Sequence, residues 1–168
     1  TASGTNASAF GISSTASNIN SVAIGANSLS SKQNSIAIGI DSEASGNNAL
    51  ALGTSSLADR SNSFAIGSAA SAAGVNAAAL GTKASAANLN SFALGSSATA
   101  SANNASAIGV SSTASGTNAS AFGISSTASN VNSVAIGANS LSSQQNSIAI
   151  GIDSEASCLL YTSDAADD

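Results

Sequence analysis

The chain has 168 residues, of which 7% are charged and 3% aromatic, and it contains no proline, tryptophan, methionine or histidine. Its 43% apolar content is largely alanine, which excludes a large aromatic core. The net charge of −5 reflects eight acids against three scattered cations, too few to form the basic stripe that nucleic-acid binding requires. No apolar run is long enough to span a membrane, so we expect no direct membrane insertion by this part of the protein.

A glycine recurs every 14 residues along the chain. Each is preceded by asparagine at five residues, by alanine at two residues, and by isoleucine, leucine or phenylalanine at one residue. These four positions keep the same spacing over eleven copies, which excludes a disordered low-complexity tract. The eleven glycines are Gly11, Gly25, Gly39, Gly53, Gly67, Gly81, Gly95, Gly109, Gly123, Gly137 and Gly151.

The four phased positions are the candidate structural residues of the repeat. Three copies illustrate them: Asn20, Ala23, Ile24 and Gly25; Asn34, Ala37, Ile38 and Gly39; and Asn132, Ala135, Ile136 and Gly137. Glycine and asparagine suit tight turns, and an asparagine stacked on every coil can form a ladder of amides. We therefore predict that these asparagines hold turns and do not bind a ligand.

The repeat predicts an all-β fold, a parallel β-solenoid over residues 1–157. Two alternating stretches, such as 21–24 and 28–31, are each the length of a short strand. Fourteen residues are too few for a strand, a helix and a return, so each repeat should form one coil with two short strands. Coils stacked about 4.8 Å apart would form a rod on the order of 50 Å long.

Residues one and three before each glycine should share a face of the first strand. Because the residue directly before the glycine is always large and apolar, we predict an interior column of Ile24, Ile38, Leu52, Ile66 and Leu80. The invariant alanine would then face a neighbouring chain. So thin a coil buries little apolar area, and this predicts a parallel homotrimer whose axis carries these alanines or the adjoining apolar positions.

The sequence also contains a longer repeat in addition to the 14-residue one. Residues 1–45 reappear as 113–157, with only Ile19 changed to Val131 and Lys32 changed to Gln144. This near-identity predicts a fragment of a longer array.

The repeat stops at Cys158, and residues 158–168 form a separate unit. From Cys158 to Asp167 the sequence resembles a translated adapter from sequencing-library preparation. We expect this tail to be non-native and irregular, and a native segment that caps the solenoid is the alternative.

The sequence offers no constellation for catalysis, a cofactor or a metal. Without histidine or a repeat cysteine, its serines have no general-base partner, so we predict that the protein is not an enzyme. Asp41 with Glu43, and Asp153 with Glu155, lack the further carboxylates of a calcium site, which favours a solvated strand face.

The motifs Asn20 to Gly25 and Asn132 to Gly137 resemble the head repeats of YadA-like trimeric autotransporter adhesins. The resemblance covers residues 1–157 and implies a left-handed β-roll, a homotrimer, a bacterial cell-surface location and a role in attachment through an unknown extracellular ligand. A structural rod of a phage tail fibre is the alternative. Ice binding is disfavoured because the column four after each glycine mixes threonine with leucine and glutamate, as at Leu29 and Glu43.

Overall fold

The computed structural model describes residues 1–157, and every regular element within them is a short β-strand. The strands form two sheets of eleven parallel strands each, and successive strands of the chain alternate between the sheets. This confirms the predicted parallel β-solenoid with two strands per coil. The tail from Cys158 onward, predicted to be irregular, lies outside the described residues.

The first sheet contains the odd-numbered strands. They are β1 (Ser8–Phe10), β3 (Val22–Ile24), β5 (Ile36–Ile38), β7 (Leu50–Leu52), β9 (Phe64–Ile66), β11 (Ala78–Leu80), β13 (Phe92–Leu94), β15 (Ser106–Ile108), β17 (Ser120–Phe122), β19 (Val134–Ile136) and β21 (Ile148–Ile150). The second sheet contains the even-numbered strands. They are β2 (Thr15–Ala16), β4 (Leu29–Ser30), β6 (Glu43–Ala44), β8 (Leu57–Ala58), β10 (Ser71–Ala72), β12 (Ser85–Ala86), β14 (Thr99–Ala100), β16 (Thr113–Ala114), β18 (Thr127–Ala128), β20 (Leu141–Ser142) and β22 (Glu155–Ala156).

Pairing between coils follows the sequence period without a slip. In the first sheet Ala23 pairs with Ala37 and Ile24 pairs with Ile38, so each residue lies beside its equivalent in the next coil. The second sheet keeps the same register, with Leu29 beside Glu43. Identical positions therefore form straight columns along the rod.

Each coil turns twice, and both turns have the same design. At one turn Asn20 has a φ of 55° and is followed by Ser21, whose hydroxyl donates to the carbonyl oxygen of Asn18 at 2.6 Å. At the other turn Asn27 has a φ of 56°, and the hydroxyl of Ser28 donates to the carbonyl oxygen of Gly25 at 2.9 Å. A coil is therefore two similar halves of seven residues.

The space between the two sheets is filled by alanine and serine. The alanines of the first sheet, such as Ala23 and Ala65, are fully buried, and so are alanines of the second sheet such as Ala86. Where serine replaces alanine, as at Ser30, its hydroxyl donates to the carbonyl oxygen of Ser35 at 2.7 Å. The interior is accordingly narrow, and its polar atoms are satisfied by hydrogen bonds.

The predicted interior column of large apolar residues is wrong. Ile24 and Leu52 are 38% and 39% exposed, and Ile38, Ile66 and Leu80 are only half-buried. These five residues lie on the outer face of the first sheet. The invariant alanines point inward, since a 14-residue coil brings the sheets so close together that only small side chains fit between them.

Candidate functional surfaces

The phased asparagines form one continuous ladder along an edge of the rod. Each side-chain amide Nδ2 donates to Oδ1 of the asparagine in the next coil, over ten bonds of 2.9 to 3.2 Å. The ladder members are Asn6, Asn20, Asn34, Asn48, Asn62, Asn76, Asn90, Asn104, Asn118, Asn132 and Asn146. All of them have positive φ, which asparagine tolerates better than most residues. The ladder thus couples a turn conformation to a contact between coils.

We expect Asn76→Ala to destabilise the rod by about 1–3 kcal/mol, because it combines a strained positive φ with the loss of two amide hydrogen bonds. Asn76 accepts from Asn62 and donates to Asn90, both at 3.0 Å. Asn76→Gly is the matched control: glycine relieves the backbone strain and leaves only the loss of the ladder bonds. Thermal unfolding followed by circular dichroism measures both. Equal stability of the alanine and glycine variants would contradict the backbone part of this explanation.

A second column with positive φ lies seven residues after the ladder. Its members are Ser13, Asn27, Asp41, Ser55, Ala69, Lys83, Ser97, Ser111, Ser125, Asn139 and Asp153. The Nδ2 atom of Asn27 donates to Oδ1 of Asp41 at 2.9 Å, and Asn139 donates to Asp153 at 2.8 Å. Sequence reasoning missed this column because its residue types vary. The sequence did indicate that a coil has two similar halves, since four further glycines lie seven residues out of phase with the main ones: Gly4, Gly46, Gly74 and Gly116.

The acidic residues within positions 1–157 do not gather into a metal site. Asp41 accepts the amide of Asn27 at a turn, whereas Glu43 lies in β6. Within residues 1–157 no group of three or more histidine, cysteine, aspartate or glutamate side chains is placed to hold a metal ion. Asp59 and Arg60 form an ion pair of 3.2 Å at the surface.

The outer face of the first sheet is a largely apolar surface, called here the apolar face. It consists of the residues one and three before each main glycine. The residues directly before are Phe10, Ile24, Ile38, Leu52, Ile66, Leu80, Leu94, Ile108, Phe122, Ile136 and Ile150, and those three before are Ser8, Val22, Ile36, Leu50, Phe64, Ala78, Phe92, Ser106, Ser120, Val134 and Ile148. None of them is charged. Phe64, at 43% exposed, shows how much of this surface is open in the single chain.

The outer face of the second sheet is mostly polar, and we call it the polar face. Its strands present Thr99, Thr113 and Thr127 in consecutive coils, with Leu29 and Glu43 in earlier ones. The chain has no charged residue between Ala84 and Ile152, so almost half of the rod presents only neutral side chains. The two outer faces of the rod therefore differ strongly in polarity.

The structure places the predicted repeat residues in four different settings. Asn20 lies in the exposed ladder, Ala23 in the interior, Ile24 on the apolar face and Gly25 at a turn with a φ of 129°. The equivalent copies fill the same settings: Asn34, Ala37, Ile38 and Gly39, and Asn132, Ala135, Ile136 and Gly137. Each of these residues lies next to its equivalents in the neighbouring coils, and together they form no concave site.

The chain belongs to the family of the YadA head domain repeat, which matches residues 2–28, 30–56, 61–84, 72–98, 86–112, 114–140 and 142–157. This is a family of adhesin heads and not of enzymes. The membership confirms the resemblance that was read from the repeat motif.

Among solved structures, the chain is similar to the crystal structure of the collagen-binding domain of the Yersinia adhesin YadA. The two share 28% sequence identity, with a TM-score of 0.64, over 90% of this chain and 91% of that one. Comparison with curated proteins gave no match. Over residues 1–157, no helix is long and apolar enough to cross a membrane.

Proposed function

We propose that this chain is the attachment head of a bacterial surface adhesin and that it works as a parallel homotrimer. The observation that carries the proposal is the combination of YadA head repeats with a rod whose apolar face is open in the single chain. Heads of this family are displayed at the cell surface. The comparisons do not favour the tail-fibre alternative.

The apolar face is the surface that we assign to the trimer. An alanine interior buries little apolar area per coil, whereas the large side chains lie outside, where a second chain can cover them. Three copies that present the same uncharged face to a common axis meet without like-charge repulsion. The sequence left the alanines and the adjoining apolar positions as alternatives for the interface, and we assign the apolar positions because the alanines are already buried within each chain.

In this arrangement the polar face remains available for a ligand. Its side chains recur in every coil, so a weak contact can be repeated many times along one rod and again on each of three chains. Repetition of this kind converts weak single contacts into firm attachment without any deep pocket. The related Yersinia domain is described as collagen-binding, and an extended matrix protein of that kind is the first ligand to test.

Ile66→Glu should prevent trimer formation, because it would place three carboxylates in a buried apolar contact, at a cost of several kcal/mol each. Ser71→Glu is the matched control, since Ser71 lies in the same coil on the polar face. Light scattering and circular dichroism at micromolar concentration measure assembly and folding. A trimer of unchanged stability for Ile66→Glu would contradict the assignment of the apolar face.

Attachment is tested with the same proteins immobilised on beads and presented to fibrillar collagen and to albumin as the control surface. The wild type should be retained on collagen under flow, and Ile66→Glu should be lost together with its trimer. Ser71→Glu keeps the trimer but adds a charge to the polar face, so it should be retained less strongly than the wild type. If trimeric wild-type protein binds neither collagen, other matrix proteins nor whole host cells, the proposed attachment function fails.

A further inference from the structure

The apolar face contains two columns with different properties. The column directly before the main glycines holds only isoleucine, leucine and phenylalanine, and we call it the uniform column. The column three before them mixes large, small and polar side chains, and we call it the variable column. Both point out of the same strands, as Ser106 and Ile108 do in β15.

In a trimer of repetitive rods, the chains could align in more than one axial register. Each coil carries the same turns and the same uniform column, so a chain displaced by one coil would still match its neighbours along most of their length. Flat, repetitive β surfaces specify their register weakly for this reason. Something in the contact surface has to distinguish one coil from the next.

The variable column differs from one coil to the next. Two large aromatic side chains, Phe64 and Phe92, flank the small Ala78, and the next two coils carry Ser106 and Ser120. A displacement by one coil brings Phe92 to the height of Ser106, where the hydroxyl loses its polar partners and the ring loses its apolar ones. When chains are aligned, the three serines of one coil lie at one height and can satisfy each other.

The order of the variable column also repeats too rarely to permit a false match. Ser8, Val22 and Ile36 recur only as Ser120, Val134 and Ile148, eight coils later. A displacement of that size would leave only the last coils in contact. Aligned chains are thus the arrangement that matches this column throughout the described rod.

We infer that the variable column sets the axial register of the three chains, while the uniform column supplies most of the apolar contact. The inference rests on the proposed homotrimer and names the part of the interface that selects its alignment. Polar residues in an otherwise apolar contact act in the same way in coiled coils, where they fix register at some cost in stability. A closed threefold assembly needs this selection, because displaced chains cannot close with equal contacts.

The test is a variant with an entirely apolar variable column over five coils, Ala78→Leu, Ser106→Val and Ser120→Val. Spin labels are attached at Ser96→Cys, an exposed turn position, in a Cys158→Ser background. The wild type should give a single narrow distance between labels by pulsed electron paramagnetic resonance. The apolar variant should remain trimeric but give additional distances, since each displacement moves a label by about 4.8 Å along the rod.

The control changes the uniform column in the same strands, Leu80→Ile, Ile108→Val and Phe122→Leu, and it should keep one narrow distance. A single narrow distance in the apolar variant would overturn the register role and leave the trimer intact. Broad distances in the wild-type trimer would overturn it equally. Wild-type protein that is monomeric by light scattering would instead contradict the assembly under the proposed function, and with it the register.

Discussion

Ala86→Glu is expected to unfold the rod, whereas Ala87→Glu, one residue further along, is expected to be tolerated. Ala86 is fully buried between the sheets, while Ala87 is exposed on the outside. A carboxylate at position 86 would have no cation to pair with in an interior of alanine and serine. Burying such a group costs several kcal/mol, a large share of the stability of a domain of this size.

The comparison of neighbouring residues removes differences in composition, charge and local helix or strand preference. Thermal unfolding by circular dichroism should show a cooperative β transition for Ala87→Glu close to that of the wild type. Ala86→Glu should show either no such transition or a midpoint lowered by tens of degrees. Similar midpoints for the two variants would mean that the alanine columns are not the interior.

The overall fold could be predicted because the repeat constrains the chain in a simple way. The spacing of the glycines sets the length of a coil, and a coil of that length has room for two short strands but not for a helix. Because the same positions recur at that spacing, each coil should stack on the next with equivalent residues side by side, and the pairing of Ala23 with Ala37 shows this. Membership of the family could also be predicted from the sequence, because the motif from Asn20 to Gly25 recurs at the same spacing along the chain.

The direction of the side chains could not be predicted in the same way. Alternation along a strand places Val22 and Ile24 on one face and Ala23 on the other, but it does not say which face is inside. Large apolar residues usually mark the interior, and that rule led to the wrong face here. The deciding quantity is the separation of the two sheets, a property of the closed coil that no single strand reveals.

Only one of the two turns in each coil could be predicted from the sequence. Asparagine at the ladder positions indicates positive φ, but the second column includes Ala69 and Lys83, with φ of 56° and 58°. Nothing in an alanine or a lysine signals that conformation. It is imposed by the stacked neighbours, since each coil must turn where the coil below it turns.

Gly81→Ala tests a steric and conformational constraint in the repeat and should destabilise the rod by about 3–5 kcal/mol, from backbone strain and a steric clash together. Gly81 has a φ of 134°, a conformation that residues with a side chain rarely adopt. A Cβ atom there would also lie 2.5 Å from the carbonyl oxygen of Gly95 in the next coil, so the stacking itself would have to open.

Gly151→Ala separates these two contributions. Gly151 has a similar φ of 125°, yet the nearest atom to an added Cβ among the described residues is Cβ of Ser154 at 3.8 Å. Against the described residues it should therefore show only the backbone cost of about 1–3 kcal/mol. Chemical denaturation of the two variants measures the difference. A loss for Gly81→Ala that is equal to or smaller than the loss for Gly151→Ala would show that the coils are not stacked closely enough for glycine to be required between them, and that turn conformation alone explains the glycine column.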